Sequence, residues 1–176
     1  MKPTIRPIRI EGNIAYVPIT RGYEAIIDAG DVPLVECWNW HAQVKQRSDG
    51  NSAIVYAMRG ETIGVNRRVK VYMHRVIAET PAGFETDHID GNGLNNRRAN
   101  LRAATREQNG CNQSTSCANT SGAKGVTWNR RLGKWQAQIG FAGKMHYLGL
   151  HETVAAASDA YAAKSVELHG IFGRKP

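Results

Sequence analysis

Residues 87–109 read DHIDGNGLNNRRANLRAATREQN. Asp87 and His88 lie side by side on a short apolar strand that runs to Ile89. Asp90-Gly91 and Asn92-Gly93 are both turn dipeptides, so the chain reverses there. Leu101 begins a second short strand, and Thr105 can cap a helix that runs to about Asn112. A strand, a hairpin, a strand and a helix can bring Asp87, His88 and Asn109 together. A carboxylate and an amide carbonyl are hard oxygen donors of the kind that suit Mg2+ or Mn2+, with water and a phosphate completing the shell. A neighbouring histidine can take a proton from water near neutral pH. Arg97, Arg98, Arg102 and Arg106 add four positive charges to this run, and the reading has them facing no acid.

The rest of the chain agrees with a polyanion partner. Its 176 residues suffice for at most two small domains. Lys and Arg number 23 against 15 Asp and Glu, a net charge of +8. A basic protein of this size points first to nucleic acid. Hydrophobic residues are 41% of the chain, enough for a core. No apolar run approaches the ~18 residues that a membrane span needs. Met1–Arg6 has no apolar stretch behind its charges, the pattern of a chain without a secretory signal. Cys37, Cys111 and Cys117 are an odd set at spacings that suit neither disulfides nor a zinc site, which places the chain in a reducing compartment. The stretch 118–151 holds Lys124, Arg130, Arg131, Lys134 and Lys144 with no acid at all, and the acids return only in the helix-like stretch that follows.

Upstream of the motif, residues 14–20 and 22–28 read as two strands around a turn at Arg21-Gly22. Asp31 is placed to cap a short helix over 32–37. Trp38 and Trp40 alternate with Asn39 and His41, the period of a strand. Residues 53–59 and 68–73 are β-rich, and Ser48-Asp49-Gly50-Asn51 forms the hairpin between two strands. Downstream, the small polar run at 111–121 reads as a linker. Strands follow over 123–130, 134–141 and 144–150, with turns at Leu132-Gly133 and Ala142-Gly143. Thr153 caps an Ala-rich helix over 154–169, which stops at Gly170.

The central stretch, with MHRVIA at 73–78 before it, resembles the HNH nuclease motif of phage and intron-type homing endonucleases. About 37 residues carry the match. The resemblance implies that Asp87 and Asn109 ligate one divalent metal, Mg2+ or Mn2+, and that His88 is the general base. Asn100 would brace the loop and hold the His88 backbone, and His74 would have a supporting role. Asn109 stands where many members have a second metal-binding histidine. The implied reaction is hydrolysis of a phosphodiester, and one site per chain favours nicking unless the protein dimerises. A second resemblance covers 121–170, which is similar to the plant ethylene-response-factor (APETALA-type) DNA-binding domain. That family lays the open face of a three-stranded sheet in the major groove. Strand parity puts Val126, Trp135, Ala137, Ile139 and Leu148 against the helix. Lys124, Thr127, Asn129, Arg131, Gln136, Gln138 and Tyr147 are then candidates for the DNA face, with Lys144 and the four arginines of the motif as further DNA contacts. Several base-reading arginines of the plant pattern are here Thr127, Asn129 and Met145, so the plant target does not carry over.

The sequence reading is therefore an α+β protein. A β-rich region over 1–73 leads into a ββα-metal nuclease unit over 74–112. A linker over 113–120 joins it to a three-stranded antiparallel sheet packed on one helix over 121–176. The expected function is a site-preferring, metal-dependent endonuclease acting on double-stranded DNA. It would work in the cytoplasm of a prokaryotic or phage-infected cell, associated with the nucleoid, as a monomer or dimer without an obligate protein partner. The competing reading is a sequence-specific, transcription-factor-like DNA-binding protein whose HNH fold is inactive.

Overall fold

Buried Ala15 and Val17 alternate with half-buried neighbours, and so do Ala25 and Ile27. That period of two is what a strand with one covered face requires. In the computed structural model, which describes residues 4–46, 53–112 and 119–173, these residues lie in an antiparallel sheet. Its strands are β1 (Arg9–Glu11), β2 (Ile14–Pro18) and β3 (Glu24–Asp28), in that order. The turn between β2 and β3 carries positive φ at Arg21 and Gly22.

Two local expectations fail here. The helix expected over 32–37 is a 3-10 turn over Ala29–Leu34, with Asp28 rather than Asp31 in the capping position. Asp31 is buried and accepts from the Arg98 guanidinium at 2.9 Å, so its carboxylate serves a long-range ion pair rather than a cap. Trp38 and Trp40 precede the next strand rather than forming it, because β4 starts at His41 (His41–Gln46). The Trp40 indole is buried and donates to the Val35 carbonyl at 3.0 Å. Trp38 stays exposed beneath the Arg59 guanidinium, 4.0 Å from its ring centre.

β4 pairs with β5 (Ala53–Ile63), which pairs in turn with β6 (Arg67–Tyr72). The hairpin expected at Ser48–Asn51 lies outside the described residues. Helix α1 (Met73–Ala78) follows, with Met73 and Ile77 one turn apart and both fully buried. They join Val17, Ile27, Val35 and Trp40 in one core, and Leu94 and Leu101 pack against it. Each such side chain contributes about 1.5–3 kcal/mol by leaving water. Strands β7 (Glu85–His88) and β8 (Leu101–Ala104) form a two-stranded sheet. The loop between them hangs on β3: the Ile26 N–H donates to Leu94 at 2.8 Å, and the Asn96 N–H donates to Ile26 at 2.7 Å. The N-terminal sheet is thus the frame for the loop that follows His88.

All of these elements belong to one unit, Met1–Arg106; the second is Glu107–Pro176. Helix α2 (Arg106–Asn112) starts on the last residue of the first unit, and the rest of it belongs to the second. Glu107 accepts from the Ala142 N–H at 3.0 Å, and Lys124 donates to the Cys111 carbonyl at 2.6 Å. Strands β9 (Val126–Asn129), β10 (Lys134–Phe141) and β11 (Lys144–His151) form an antiparallel sheet in the order β11-β10-β9. The first strand is shorter than the 123–130 expected, because Asn119 and Ser121 fold the segment before it into side-chain-bonded turns. Most of the run expected as linker, 113–118, lies outside the described residues. Helix α3 (Val154–His169) is capped by Thr153, which accepts from the Ala156 N–H at 3.1 Å, and it ends at Gly170. Val126, Ala137 and Ala157 are its buried contacts with the sheet, and Trp135 and Leu148 pack beside them. The architecture is mixed α/β, with small antiparallel sheets and few helices among the described residues. No helix among them is long and apolar enough to cross a membrane.

Gly125 is the most closely packed of the second unit's described glycines. Its φ is +71°, and an added Cβ would lie 2.3 Å from the Tyr161 ring and 2.4 Å from the Gln138 carbonyl. Gly125→Ala is therefore expected to destabilise this unit by about 2–4 kcal/mol, from backbone strain plus overpacking. Gly133 also has positive φ, but a Cβ added there would meet nothing within 4 Å. Gly133→Ala is expected to cost only the strain, about 1 kcal/mol. Denaturant unfolding of the two variants checks this, and equal losses would show that packing at Gly125 is not the cause.

Candidate active site

β7 and β8 pair so that Asp87 faces Arg102 and His88 faces Leu101 across the ladder. Successive residues of a strand point to opposite sides. Asp87 accepts from Arg102 Nη2 at 2.6 Å and Nε at 2.7 Å, and both side chains are largely buried. The His88 side chain is buried and enters a cluster of rings. The His74 ring lies edge-on to it at 5.0 Å, and Tyr56 lies at 5.9 Å. His74 in turn stacks on Tyr72 at 5.3 Å. Helix α1 places His74 there because its neighbours Met73 and Ile77 anchor the helix in the core.

Asn96, a residue to which sequence reasoning gave no role, orients the imidazole. It is fully buried, and its Oδ1 lies 3.1 Å from His88 Nε2. Its Nδ2 donates to the Leu94 carbonyl at 3.3 Å and contacts Met73 Sδ at 3.6 Å, so the amide oxygen is the atom turned toward the ring. His88 Nε2 must then carry the proton, and Nδ1 is left as the basic nitrogen. The doubled Asn95-Asn96 in the motif was the available signal, but an Asn pair reads equally well as a turn.

Burial holds the His88 imidazole below the ordinary histidine range, against the opposing effect of the Asn96 bond and of Asp90 and Asp87. Burial likewise lowers His74 to about 3, helped by the nearby His88 and Arg75. Both rings are neutral at physiological pH. His74 Nδ1 is buried without a hydrogen-bond partner among the described residues.

Asn100 closes the loop. It accepts from the Asp90 N–H at 3.0 Å and donates to the Asp90 carboxylate at 2.9 Å and the Asn95 carbonyl at 2.8 Å. Burial raises the Asp90 carboxyl, but hydrogen bonds from Asn92, Asn95 and Asn100 outweigh it and hold the group below the usual carboxylate range. The loop from 89 to 96 is therefore tied by amide bonds around Asp90, although Asn95 Oδ1 is buried without a hydrogen-bond partner among the described residues.

The expectation that the motif's arginines face no acid is overturned for three of the four. Arg97 pairs with Asp28 at 3.0 Å, Arg98 with Asp31 at 2.8 Å, and Arg102 with Asp87. Asp28 and Asp31 lie 67 to 70 residues upstream of these arginines, beyond any local reading of the motif. Arg97 and Arg98 keep 41% and 50% of their side chains exposed, so the pairs orient them without hiding them. Arg106 is exposed at the start of α2. Asn109 stands on α2 in the second unit, half-buried.

In the second unit, directly paired strand residues share a face. Thr127 pairs with Gln136, Asn129 with Lys134, and Gln138 with Tyr147, which sets Thr127, Asn129, Gln136, Gln138 and Tyr147 on the side of the sheet away from α3. Lys124 is turned to the Cys111 carbonyl instead. Arg131 lies in the exposed β9–β10 turn, and Lys144 is exposed at the start of β11. Trp128 lies 4.9 Å from Trp135 but remains 45% exposed, so it packs on one side only.

Residues 71–111 match the family model described as HNH endonuclease. The chain is 37% identical over 94 residues to Protein 3.8 of Escherichia phage T7, a match covering 53% of this chain and 77% of that protein. It is 34% identical over 109 residues to an uncharacterized HNH endonuclease, L560, of Acanthamoeba polyphaga mimivirus, covering 58% of this chain and 56% of that one. No solved structure matches it significantly. The chain belongs to the family of the phage protein and carries, over the loop and strands built around His88, an HNH endonuclease domain.

Proposed function

We propose that this protein is a site-preferring, metal-dependent DNA endonuclease of the homing type, which hydrolyses one phosphodiester per active site and so nicks duplex DNA. The observation that carries the reading is His88: a buried, neutral imidazole whose Nε2 is held by Asn96 and whose basic nitrogen is Nδ1. A general base needs this neutral, oriented state. His88 takes the proton of the attacking water at Nδ1. Asn96 keeps the ring from turning, and Asn100 fixes the loop that carries Asp90 and Asn95. His74 and Tyr56 wall the ring and keep bulk water from its buried edge.

Asp87 and Asn109 are the residues that would hold the metal. Their donor types, a carboxylate and an amide carbonyl, fit Mg2+ or Mn2+, which commonly take one or two protein oxygens and fill the shell with water and phosphate. Asn109 enters this set on the strength of the motif, since it belongs to α2 of the second unit. The metal, when bound, supplies charge stabilisation at the phosphate and the leaving oxygen. The nuclease domain would extend over 74–112. Residues 121–176, with their ethylene-response-factor-like pattern, would read the DNA through the open face of the β9–β11 sheet. Arg97, Arg98, Arg106, Arg131 and Lys144 would meet phosphate. The site of action would be the cytoplasm of an infected or host cell.

A plasmid-nicking assay tests this. Supercoiled DNA is expected to convert to the nicked form with Mg2+ and to stay supercoiled in EDTA, while the far-ultraviolet circular dichroism of the protein is unchanged. Asp87→Ala and Asn109→Ala are expected to raise the Mg2+ needed for activity and to leave DNA binding nearly intact; Asp87→Ala also removes the carboxylate bonded to Arg102, so its denaturant curve is read beside its activity. Undiminished nicking in EDTA would remove the metal from the mechanism, and unfolding by chelation would make it structural instead.

A further inference from the structure

Three amides on the open face of the second unit's sheet are joined in one directed chain. Asn129 Oδ1 accepts from the Leu132 backbone N–H at 3.2 Å, in the turn that joins β9 to β10. A backbone N–H can only donate, so this bond fixes which end of the Asn129 amide is oxygen. Its Nδ2 therefore points the other way and donates to Gln136 Oε1 at 3.4 Å. Gln136 Nε2 then donates to Gln138 Oε1 at 3.3 Å. Each amide oxygen in the series is accepting, and the last group in line is the Gln138 NH2. Beside it across the ladder stands Tyr147, 61% exposed.

We infer that this chain sets the polarity of base reading: Gln138 presents donors to the major groove and reads a base edge rich in acceptors, guanine first. The inference rests on the proposed role of this sheet face in binding DNA. A glutamine whose amide is free to turn pairs with adenine through one acceptor and one donor. Here the oxygen is turned toward Gln136 along the sheet, which leaves the NH2 as the opposite end of the amide, so the adenine N6 donor meets a donor. Guanine offers N7 and O6, both acceptors, to a single NH2, while cytosine offers only a donor at N4. The anchor for this choice is a turn peptide two side chains away. Its effect is reversible by one atom. In Asn129→Asp, one carboxylate oxygen still accepts from Leu132, but the other can no longer donate to Gln136. The Gln136 amide then turns its NH2 to the new carboxylate and its oxygen to Gln138, and Gln138 turns its own oxygen outward. The reading edge changes from donor to acceptor although residue 138 is unaltered. In Gln138→Glu the chain keeps its direction, because a carboxylate still accepts from Gln136, but the outward group becomes an oxygen.

The experiment is selection from randomised duplex DNA by the full-length protein in EDTA, followed by binding to single-base variants of the selected site. Gln138→Ala identifies the position that Gln138 reads, as the one whose preference flattens. At that position the wild type is expected to favour guanine over adenine and cytosine by about five- to tenfold, within the range of one good base contact. Gln138→Glu should move the preference to cytosine, and Asn129→Asp should move it to cytosine or adenine by a similar factor. A wild-type preference for adenine there, or an Asn129→Asp profile identical to the wild type, would overturn the directed chain while leaving DNA reading by this sheet intact. Gln138→Ala that flattens no position would remove Gln138 from base reading. Absence of salt-dependent DNA binding by the wild type would overturn the underlying reading itself.

Discussion

His88→Ala is expected to fold and to lose DNA cleavage by on the order of 10²-fold or more, the usual contribution of a positioned general base. The size follows from the way the ring is held. Asn96 accepts from Nε2 at 3.1 Å, and the rings of His74 and Tyr56 close on two sides, so the imidazole is held in one orientation. Removing it leaves a hole in a buried cluster, which costs about 2–3 kcal/mol of stability. That loss has to be separated from the loss of chemistry. Single-turnover cleavage in saturating Mg2+, read beside a denaturant curve of the same preparation, does so. His88→Gln, which fills part of the space without supplying a base of matching strength, is expected to recover stability but not rate. A metal-loaded His88→Ala protein that cuts at the wild-type rate would show that another group or solvent takes the proton.

The features that the sequence made legible are those set by neighbouring residues. The strand at β3, the capping threonine at 153, the stop at Gly170 and the turns at 132–133 and 142–143 are determined by φ preference and local hydrogen bonding, and each has a signature in a few residues. The features that were missed are set at a distance. Asp31 has the right type and place for a cap, but Arg98 competes for it, and that competition becomes visible only when the 94–98 loop is seen hanging on β3. Trp38 and Trp40 have strand spacing, but the indole of one is bonded back to Val35, which bends the chain before β4. Around the candidate site, the strand, turn and strand that carry Asp87, His88 and Asn100 have a local signature in the turn glycines of the motif. Asn96 has none, because its role depends on which atom of its amide faces the ring, and two contacts from Met73 and Leu94 decide that. The function of residues 1–73 was the least legible part. The core they share with Met73, Ile77 and Leu101, together with the bonds from Ile26, makes them the support of the nuclease loop.

The first unit is expected to lose stability steeply on mild acidification, and His74 is the main reason. Its folded value of about 3 lies well under the ordinary 6.5, because burial disfavours the charged ring. The unfolded chain therefore binds a proton that the folded chain refuses. Stability is complete above pH 6.5 and is lost as pH falls from there toward 3. Each pH unit in that window costs about 1.4 kcal/mol per such group, so between pH 6.5 and 4.5 His74 alone accounts for about 2–3 kcal/mol. The depressed carboxylates of Asp28 and Asp90 act in the same direction, but only below about pH 4, where unfolded carboxylates protonate. The carboxylates are thus separated from the histidines by window, while His88, also held below the ordinary range by burial, acts in the same window as His74. His74→Phe isolates the His74 part: it keeps a flat ring against Tyr72 and Tyr56 and cannot titrate. Denaturant unfolding of both proteins at pH 7 and pH 4.5 is the measurement. The wild type should lose about 2–3 kcal/mol more than His74→Phe over that interval, and the variant should equal or exceed the wild type in the acid because its ring leaves no unpartnered nitrogen buried. Parallel losses in the two proteins would mean that His74 accepts its proton in place, through a relaxation that the packing of Tyr56, Tyr72 and His88 around it does not permit.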